Sequence, residues 1–231
     1  IDCLVIAAAG PNKQHSINLT NRDLLIDASE LKTKLSLKEC LLLNDWEAVA
    51  QSLSEINQES FLPIKNGSPL NENTLLIGPG TGLGVTLIIN SQIIPTEFGN
   101  TYSPTKGILE NFDLKDKKNF FSLENILSGP GIEKLYEEKF ERKLSSEKII
   151  SSALDGDKDG LFIVENFLKT LVSIINDLIL AFSCEKVILG GSILNALKPI
   201  LISKKIIDYF PSEINPKYAE LIERTQVDLL T

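Results

Sequence analysis

Leu75-Leu76-Ile77-Gly78-Pro79-Gly80-Thr81-Gly82-Leu83-Gly84-Val85-Thr86-Leu87-Ile88-Ile89 is the stretch that decides how this chain folds. Two apolar runs rich in branched side chains flank a turn containing four glycines, a proline and a threonine. Such runs read as strands, and the glycines as a tight connection between them. Glycine has no Cβ, so its amide can come close to an oxyanion. Successive amides in such a turn form an anion-binding nest, and Thr81 adds a hydroxyl donor. An ordinary β-hairpin has the same pattern, so phosphate cradling and a plain hairpin both stand at this level.

Toward the amino terminus, Leu4 to Ala9 is a continuous apolar run stopping at Gly10-Pro11, which predicts a buried strand. Ser29 to Leu35 reads as a short helix with Ser29 as its N-cap. Leu41-Leu42-Leu43 makes a brief strand ending at Asn44-Asp45, followed by Trp46, Val49, Ala50 and Leu53 at helical spacing. The polar run from Asn57 to Asn73 reads as a linker.

Beyond the glycine turn, Gln92 to Ile94 is a short strand closed by Pro95-Thr96-Glu97-Phe98-Gly99-Asn100, and Tyr102 to Lys118 is loop-rich and charged. Leu123 to Leu127 and Ile132 to Phe140 read as helices on either side of Ser128-Gly129-Pro130-Gly131, with Ser145 to Ala153 as another. Asp159 to Phe182 is the longest helical pattern, with a stripe of Phe162, Phe167, Leu171, Ile174, Ile175, Leu178 and Phe182. It leads into a strand, Lys186 to Leu189, ending at Gly190-Gly191. Strands alternating with helices imply an α/β fold with sites at the carboxyl ends of strands.

Composition narrows the class. With 231 residues, 43% hydrophobic and 23% charged, the chain can bury a core in one large or two modest domains. A net charge of −8 argues against a nucleic-acid partner, which normally leaves a basic patch. It leaves phosphorylated ligands open, since backbone amides bind phosphate without lysine. Cys3, Cys40 and Cys184 lie far apart with no CxxC, so a reduced, cytoplasmic setting is expected. No membrane span is expected either, because Glu165, Asn166, Lys169, Asn176 and Asp177 interrupt the longest apolar stretch. The absence of any Met and a strand-like first residue suggest a portion of a larger protein, incomplete at both ends.

Several residue types could carry chemistry. Asn44-Asp45, where a strand gives way to a helix, reads both as a helix cap and as a carboxylate able to take a proton from a hydroxyl. Glu97 and Glu124 stand beside glycine-containing turns, and each alone also reads as a solvated charge. Gly190-Gly191 is either a turn or a place where a flat ligand meets backbone. His15 has no partner at metal spacing and reads as a surface residue. The clusters Glu137-Glu138-Lys139 and Lys204-Lys205 read as solvated helix faces, and no metal site is expected.

The order of these features resembles the bacterial-type glucokinase family, of the superfamily shared by actin, sugar kinases and heat-shock chaperones. The resemblance runs from about Leu4 to past Gly191. It is carried most specifically by Gly80-Thr81-Gly82-Leu83-Gly84, by Leu123-Glu124-Asn125-Ile126-Leu127-Ser128-Gly129-Pro130-Gly131 and by Asn44-Asp45. Gly10-Pro11 and Thr20-Asn21 fall where the family has similar turns.

The resemblance implies a two-lobed, actin-like ATPase (sugar kinase) fold with an interdomain active-site cleft. A small lobe would occupy residues 1–56 and a large lobe 57–231. It implies an ATP-dependent glucokinase, with Mg²⁺ carried by the nucleotide, in which Asp45 takes the proton from the 6-hydroxyl of glucose. Asn44, Asp45, Glu97, Asn100 and Glu124 would bind the sugar. Gly80, Thr81 and Gly82 would receive the ATP phosphates, while Gly190 and Gly191 pack against the adenosine.

A homodimer is expected, with neither nucleic acid nor membrane as partner. The alternatives are a kinase for another hexose or an N-acetylated amino sugar, or an inactive sugar-binding relative. The chain departs from the family in three ways. The family's first phosphate loop is not in this sequence, and neither are its last strand and helix. Where the family usually has a Glu, two glycines and a His, Phe98 replaces a glycine and Asn100 the His, which bears on sugar preference. No cysteine-rich motif follows, which places the chain in a zinc-free branch.

Overall fold

The computed structural model describes every residue except 14, 20–21, 102–104, 116–118, 204–205 and 211–215, and of residues 12, 105 and 106 only the backbone. Thr20-Asn21, Lys204-Lys205 and parts of the Tyr102–Lys118 stretch therefore lie outside the described residues. The chain divides into two units, Ile1–Ile56 with Ile93–Pro95, and Asn57–Gln92 with Thr96–Thr231.

In the first unit the order is β1 (Cys3–Ala8), β2 (Asn12–Lys13), β3 (Ser16–Asn18), β4 (Leu25–Asp27), α1 (Ala28–Lys34), β5 (Glu39–Asn44) and α2 (Asp45–Ser52). β1 and β5 pair in parallel, and β2-β3-β4 form an antiparallel sheet. The continuous apolar run of β1 predicts burial on both faces, but the structure covers only one. Ile6 and Ala8 pack against a small core of Ile17, Ala28 and Leu42, while Val5 remains 52% exposed. α1 starts one residue earlier than expected. Its N-cap is Asp27, whose carboxylate accepts from the Glu30 amide at 2.9 Å, so Ser29 lies inside the helix. A carboxylate suits the positive end of the helix dipole as well as its free amides.

The second unit opens with β6 (Phe61–Lys65), β7 (Thr74–Pro79) and β8 (Leu83–Ile89), and the next strand is β9 (Gln92–Thr96), whose middle residues Ile93–Pro95 are those counted with the first unit. There follow α3 (Thr105–Glu110), α4 (Gly129–Phe140), α5 (Ser146–Leu154), α6 (Lys158–Phe182), β10 (Lys186–Leu189), α7 (Ser192–Ala196), α8 (Lys198–Ile202), α9 (Ala219–Arg224) and β11 (Gln226–Leu230). One six-stranded sheet runs β6-β11-β10-β7-β8-β9. β10 lies parallel to both β7 and β11, whereas β8 and β6 run antiparallel to their neighbours β7 and β11. Every residue of β7 is buried, as its unbroken apolar run demands.

The expectation of a linker over Asn57–Asn73 is overturned, because β6 lies within it. Its polar flanks and Pro63 suit an edge strand, where a missing amide is harmless. The Lys65 ammonium secures this edge by donating to the carbonyls of Ile222, Glu223 and Thr225 at 2.9, 2.7 and 2.6 Å.

α6 is capped by Asp157, which accepts from the Gly160 amide, and it buries Phe167, Leu171, Ile175 and Ile179 completely. Its predicted stripe ends sooner than the pattern suggests, since Phe182 is 43% exposed at the last residue before a left-handed cap at Ser183. The segment around Leu123 is a single tight turn, Leu123–Asn125, while α4 begins at Gly129, three residues before the predicted Ile132. Among the described residues no helix is long and apolar enough to cross a membrane.

Glu185, just before β10, is 2% exposed and ties the segment before β7 to the end of α9. Its carboxylate accepts from Arg224 at 3.0 Å, from the Asn71 carboxamide at 3.0 Å and from the Leu70 amide. The Arg224 hydrogen bond, aided by the Leu70 amide, outweighs burial and holds this carboxyl below the usual glutamate range. A depressed carboxyl stabilises the fold above its unfolded-state value and loses that contribution as pH falls through its folded value. Glu185→Gln should therefore lower the melting temperature most at neutral pH. Thermal scans from pH 7 to pH 3 should show the gap to wild type closing as the pH falls below the ordinary glutamate range.

Candidate active site

The β7–β8 hairpin closes over Gly80-Thr81-Gly82, with Pro79 opposite Leu83. The Gly80 amide donates to the Gly82 carbonyl at 2.8 Å, and the Gly80 carbonyl accepts from the Gly129 amide at 2.8 Å. The Leu83 amide donates to Glu124 Oε2 at 3.2 Å. Among the described residues the amides of Thr81 and Gly82 have no partner. A plain hairpin and an anion nest are thus both present, because the turn closes the hairpin and still leaves two amides in reserve.

The adjoining start of α4 has no such reserve. Ser128 is 1% exposed, and its hydroxyl accepts from the Gly131 amide at 3.0 Å while donating to the Glu124 carbonyl at 2.7 Å. The Ile132 amide goes to the Ser128 carbonyl, Gly129 to Gly80, and Pro130 has no N–H. The Ser128-Gly129-Pro130-Gly131 motif is accordingly a brace for the glycine turn.

Leu83 joins the glycine turn to the two turns that carry Glu97, Asn100 and Glu124. Its amide meets Glu124, and its carbonyl lies against Gly99, where an added Cβ would stand 2.4 Å from that oxygen. Gly99 belongs to the turn Phe98–Asn100 that Glu97 caps, and the Leu123 amide donates to the Thr101 carbonyl at 3.4 Å. Within the turn, Asn100 donates from its amide to the Glu97 carbonyl at 2.9 Å and from its side chain to Glu97 Oε2 at 3.2 Å. Glu97 and Asn100 are exposed, whereas Glu124 is half-buried.

Gly190 and Gly191 sit at the carboxyl end of β10, beside the end of β7. The Gly190 amide donates to the Ile77 carbonyl at 3.0 Å. Gly191 has φ +91°, and a Cβ there would lie 2.6 Å from the Pro79 carbonyl oxygen, so only glycine fits. A cavity of about 300 Å³ opens between α5 and α7, lined by Ser146, Ile150, Ser151, Leu154, Ser192 and Ile193 among others. The sequence reading missed this cavity and its serines, although Ser145-Ser146 ahead of an apolar helical pattern was a visible helix start. Gly129 joins the cavity to the turn, since a Cβ there would approach Ser146 Oγ, the Gly80 carbonyl and Ile193.

In the first unit, Asn44 and Asp45 stand together where β5 becomes α2. Sequence reading takes Asp45 as the helix cap, but the structure gives that place to Asn44. Asn44 Oδ1 accepts from the Trp46 and Glu47 amides at 2.9 and 3.4 Å, and Glu47 returns a bond from the Asn44 amide at 3.2 Å. This capping box occupies the Asn44 oxygen. Asp45 is half-buried at the first helical position, with Oδ1 accepting from the Trp46 amide at 2.9 Å and Oδ2 unpartnered among the described residues. Cys184 is buried, and burial pushes its thiol up to about 11, so it supplies no thiolate at neutral pH. Among the described residues no cluster of His, Cys, Asp and Glu is placed to hold a metal ion.

Known proteins match this chain along nearly its whole length. The model of the glucokinase family, described as Glucokinase, matches residues 1–230. A glucokinase-like protein of Xylella fastidiosa (strain Temecula1) is 28% identical over 225 residues, covering 90% of this chain and 67% of the relative. The crystal structure of a glucokinase from an Antarctic psychrotroph superposes with a TM-score of 0.80 at 25% identity, covering 98% of this chain and 75% of the other. A glucokinase of the ROK family from Streptomyces griseus, solved with glucose and AMPPNP, shares the fold at a TM-score of 0.65 and 17% identity, over 97% of this chain and 80% of the other. The fold is that of the actin-like ATPase sugar kinases, and the chain belongs to the glucokinase family.

Proposed function

We propose that the protein transfers the γ-phosphoryl group of ATP to the 6-hydroxyl of glucose, with Asp45 as general base. The observation that carries this reading is the glycine turn. It is held on one side by Glu124 and on the other by Gly129, and it keeps the amides of Thr81 and Gly82 unspent beside a cavity of about 300 Å³. Those amides and the Thr81 hydroxyl suit phosphate oxygens, and the largely apolar cavity suits the adenosine. Mg²⁺ would travel with the nucleotide and neutralise charge on its phosphates.

Glu97, Asn100 and Glu124 would accept or donate to the sugar's remaining hydroxyls, with Asn44 offering what its helix cap leaves free. Asp45 Oδ2, which has no partner among the described residues, would take the proton as the O6–phosphorus bond forms. The bond between phosphorus and the β–γ bridging oxygen breaks, and ADP leaves. Phosphoryl transfer asks for positioning and charge stabilisation more than for covalent help, and these residues supply both. Because Phe98 and Asn100 stand where the family usually has Gly and His, other hexoses and N-acetylated amino sugars belong beside glucose in any substrate panel.

Asp45→Asn in the intact protein should lower kcat by about a thousandfold, the order of loss when a general base is removed, with glucose affinity little changed. Near-wild-type turnover in that variant would remove Asp45 as the base. Glu97→Gln should weaken glucose binding by calorimetry about tenfold or more, as expected for one lost charged hydrogen bond, and leave nucleotide affinity as it was. Unaltered glucose affinity would take Glu97 out of the sugar site.

A further inference from the structure

The two oxygens of the Glu124 carboxylate have different surroundings. Oε2 accepts from the Leu83 amide at 3.2 Å, directly behind the glycine turn, and lies 2.4 Å from the place a Cβ on Gly82 would occupy. Oε1 has no hydrogen-bond partner among the described residues and lies 4.0 Å from that same place. The backbone of Glu124 is fixed as well, since its carbonyl accepts from Ser128, the cap of α4, and the Gly129 amide of α4 returns to the Gly80 carbonyl. A closed ring of contacts thus runs from the turn through Glu124 and Ser128 to α4 and back to the turn. Gly80 stands apart, because a Cβ there meets nothing nearer than Ser192 Oγ at 3.9 Å.

We propose that Glu124 is a positioning residue for the nucleotide as well as a sugar ligand, seating the phosphate turn through Oε2 while Oε1 faces the sugar. Rigid support of this kind fixes the turn's free amides before the nucleotide arrives. One carboxylate then couples the two substrates, so a disturbance on either side is felt on the other. Gly82 is glycine because the carboxylate fills the volume a side chain would take. This proposal rests on the kinase reading above, and its test separates the two.

Glucose and ADP affinities are measured separately by calorimetry on the full chain, with the folded state of each variant checked by thermal melting. Gly82→Ala adds a methyl that displaces the carboxylate, so glucose should bind about tenfold more weakly although Gly82 touches no sugar. Gly80→Ala, with open space for its methyl, should bind glucose within about twofold of wild type. Glu124→Ala should weaken ADP binding in the absence of sugar by about tenfold. Because Gly82→Ala acts through Glu124, the double variant should bind glucose no more weakly than Glu124→Ala alone.

Glucose affinity unchanged in Gly82→Ala, additive losses in the double variant, or wild-type ADP affinity in Glu124→Ala would each overturn the proposal. If Gly82→Ala does not fold, the ADP affinity of Glu124→Ala decides alone. A wild-type protein that binds neither glucose nor ADP would instead count against the kinase reading itself.

Discussion

A single residue, Leu83, organises the candidate site. Leu83 donates its amide to a glutamate on one neighbouring turn, packs its carbonyl closely against Gly99 of another, and begins the strand that closes the glycine hairpin. A half-buried amide left without a partner costs about 1–3 kcal/mol, so the Glu124 carboxylate is tied to this position as firmly as the position is tied to it. Hydrogen bonds to an ionised acceptor are stronger than neutral ones, which suits a joint that must not slip. From this joint the Glu97–Asn100 turn, the Leu123–Asn125 turn and the head of α4 take their places.

Rigidity beneath the joint comes from the sheet. β7 is buried along its whole length between β8 and β10, and the core beneath includes the fully buried Phe112, Phe167 and Phe210. Interiors packed at this density transmit strain instead of absorbing it. The ends of β7 and β10 therefore meet at a fixed spacing, and Gly191 fits there only because it lacks a side chain. Turn, brace and cavity are three consequences of one strand pair ending together, which is where ligands of open α/β sheets bind.

Much of this was legible in the residues. The hairpin, the long helix ending near Phe182 and the Lys186–Leu189 strand follow from apolar runs and their period, and they need no knowledge of partners. Partnership is what the sequence concealed. β6 lay hidden in a polar segment because an edge strand shows water one side, and β1 looked buried because nothing in its run says how many layers cover it. Asn44 and Asp45 were recognised as a pair, yet which of them caps α2 depends on the reach of Glu47. Ser128 reads as a loop residue until its hydroxyl is seen bridging Glu124 and Gly131. Gly80 and Gly82 look equivalent in the sequence, and only their neighbours distinguish open space from a carboxylate.

Family membership and fold leave the chemistry to be measured. The most direct measurement follows ADP release by the intact protein supplied with glucose, ATP and Mg²⁺, and locates the product phosphate by nuclear magnetic resonance. Glucose-dependent ADP formation, mole for mole with a sugar phosphorylated at O6, is the result a kinase built around Asp45 and the Gly80–Gly82 turn must give. Glucose binding without any ADP release would contradict it, and would mark the protein as a sugar-binding relative.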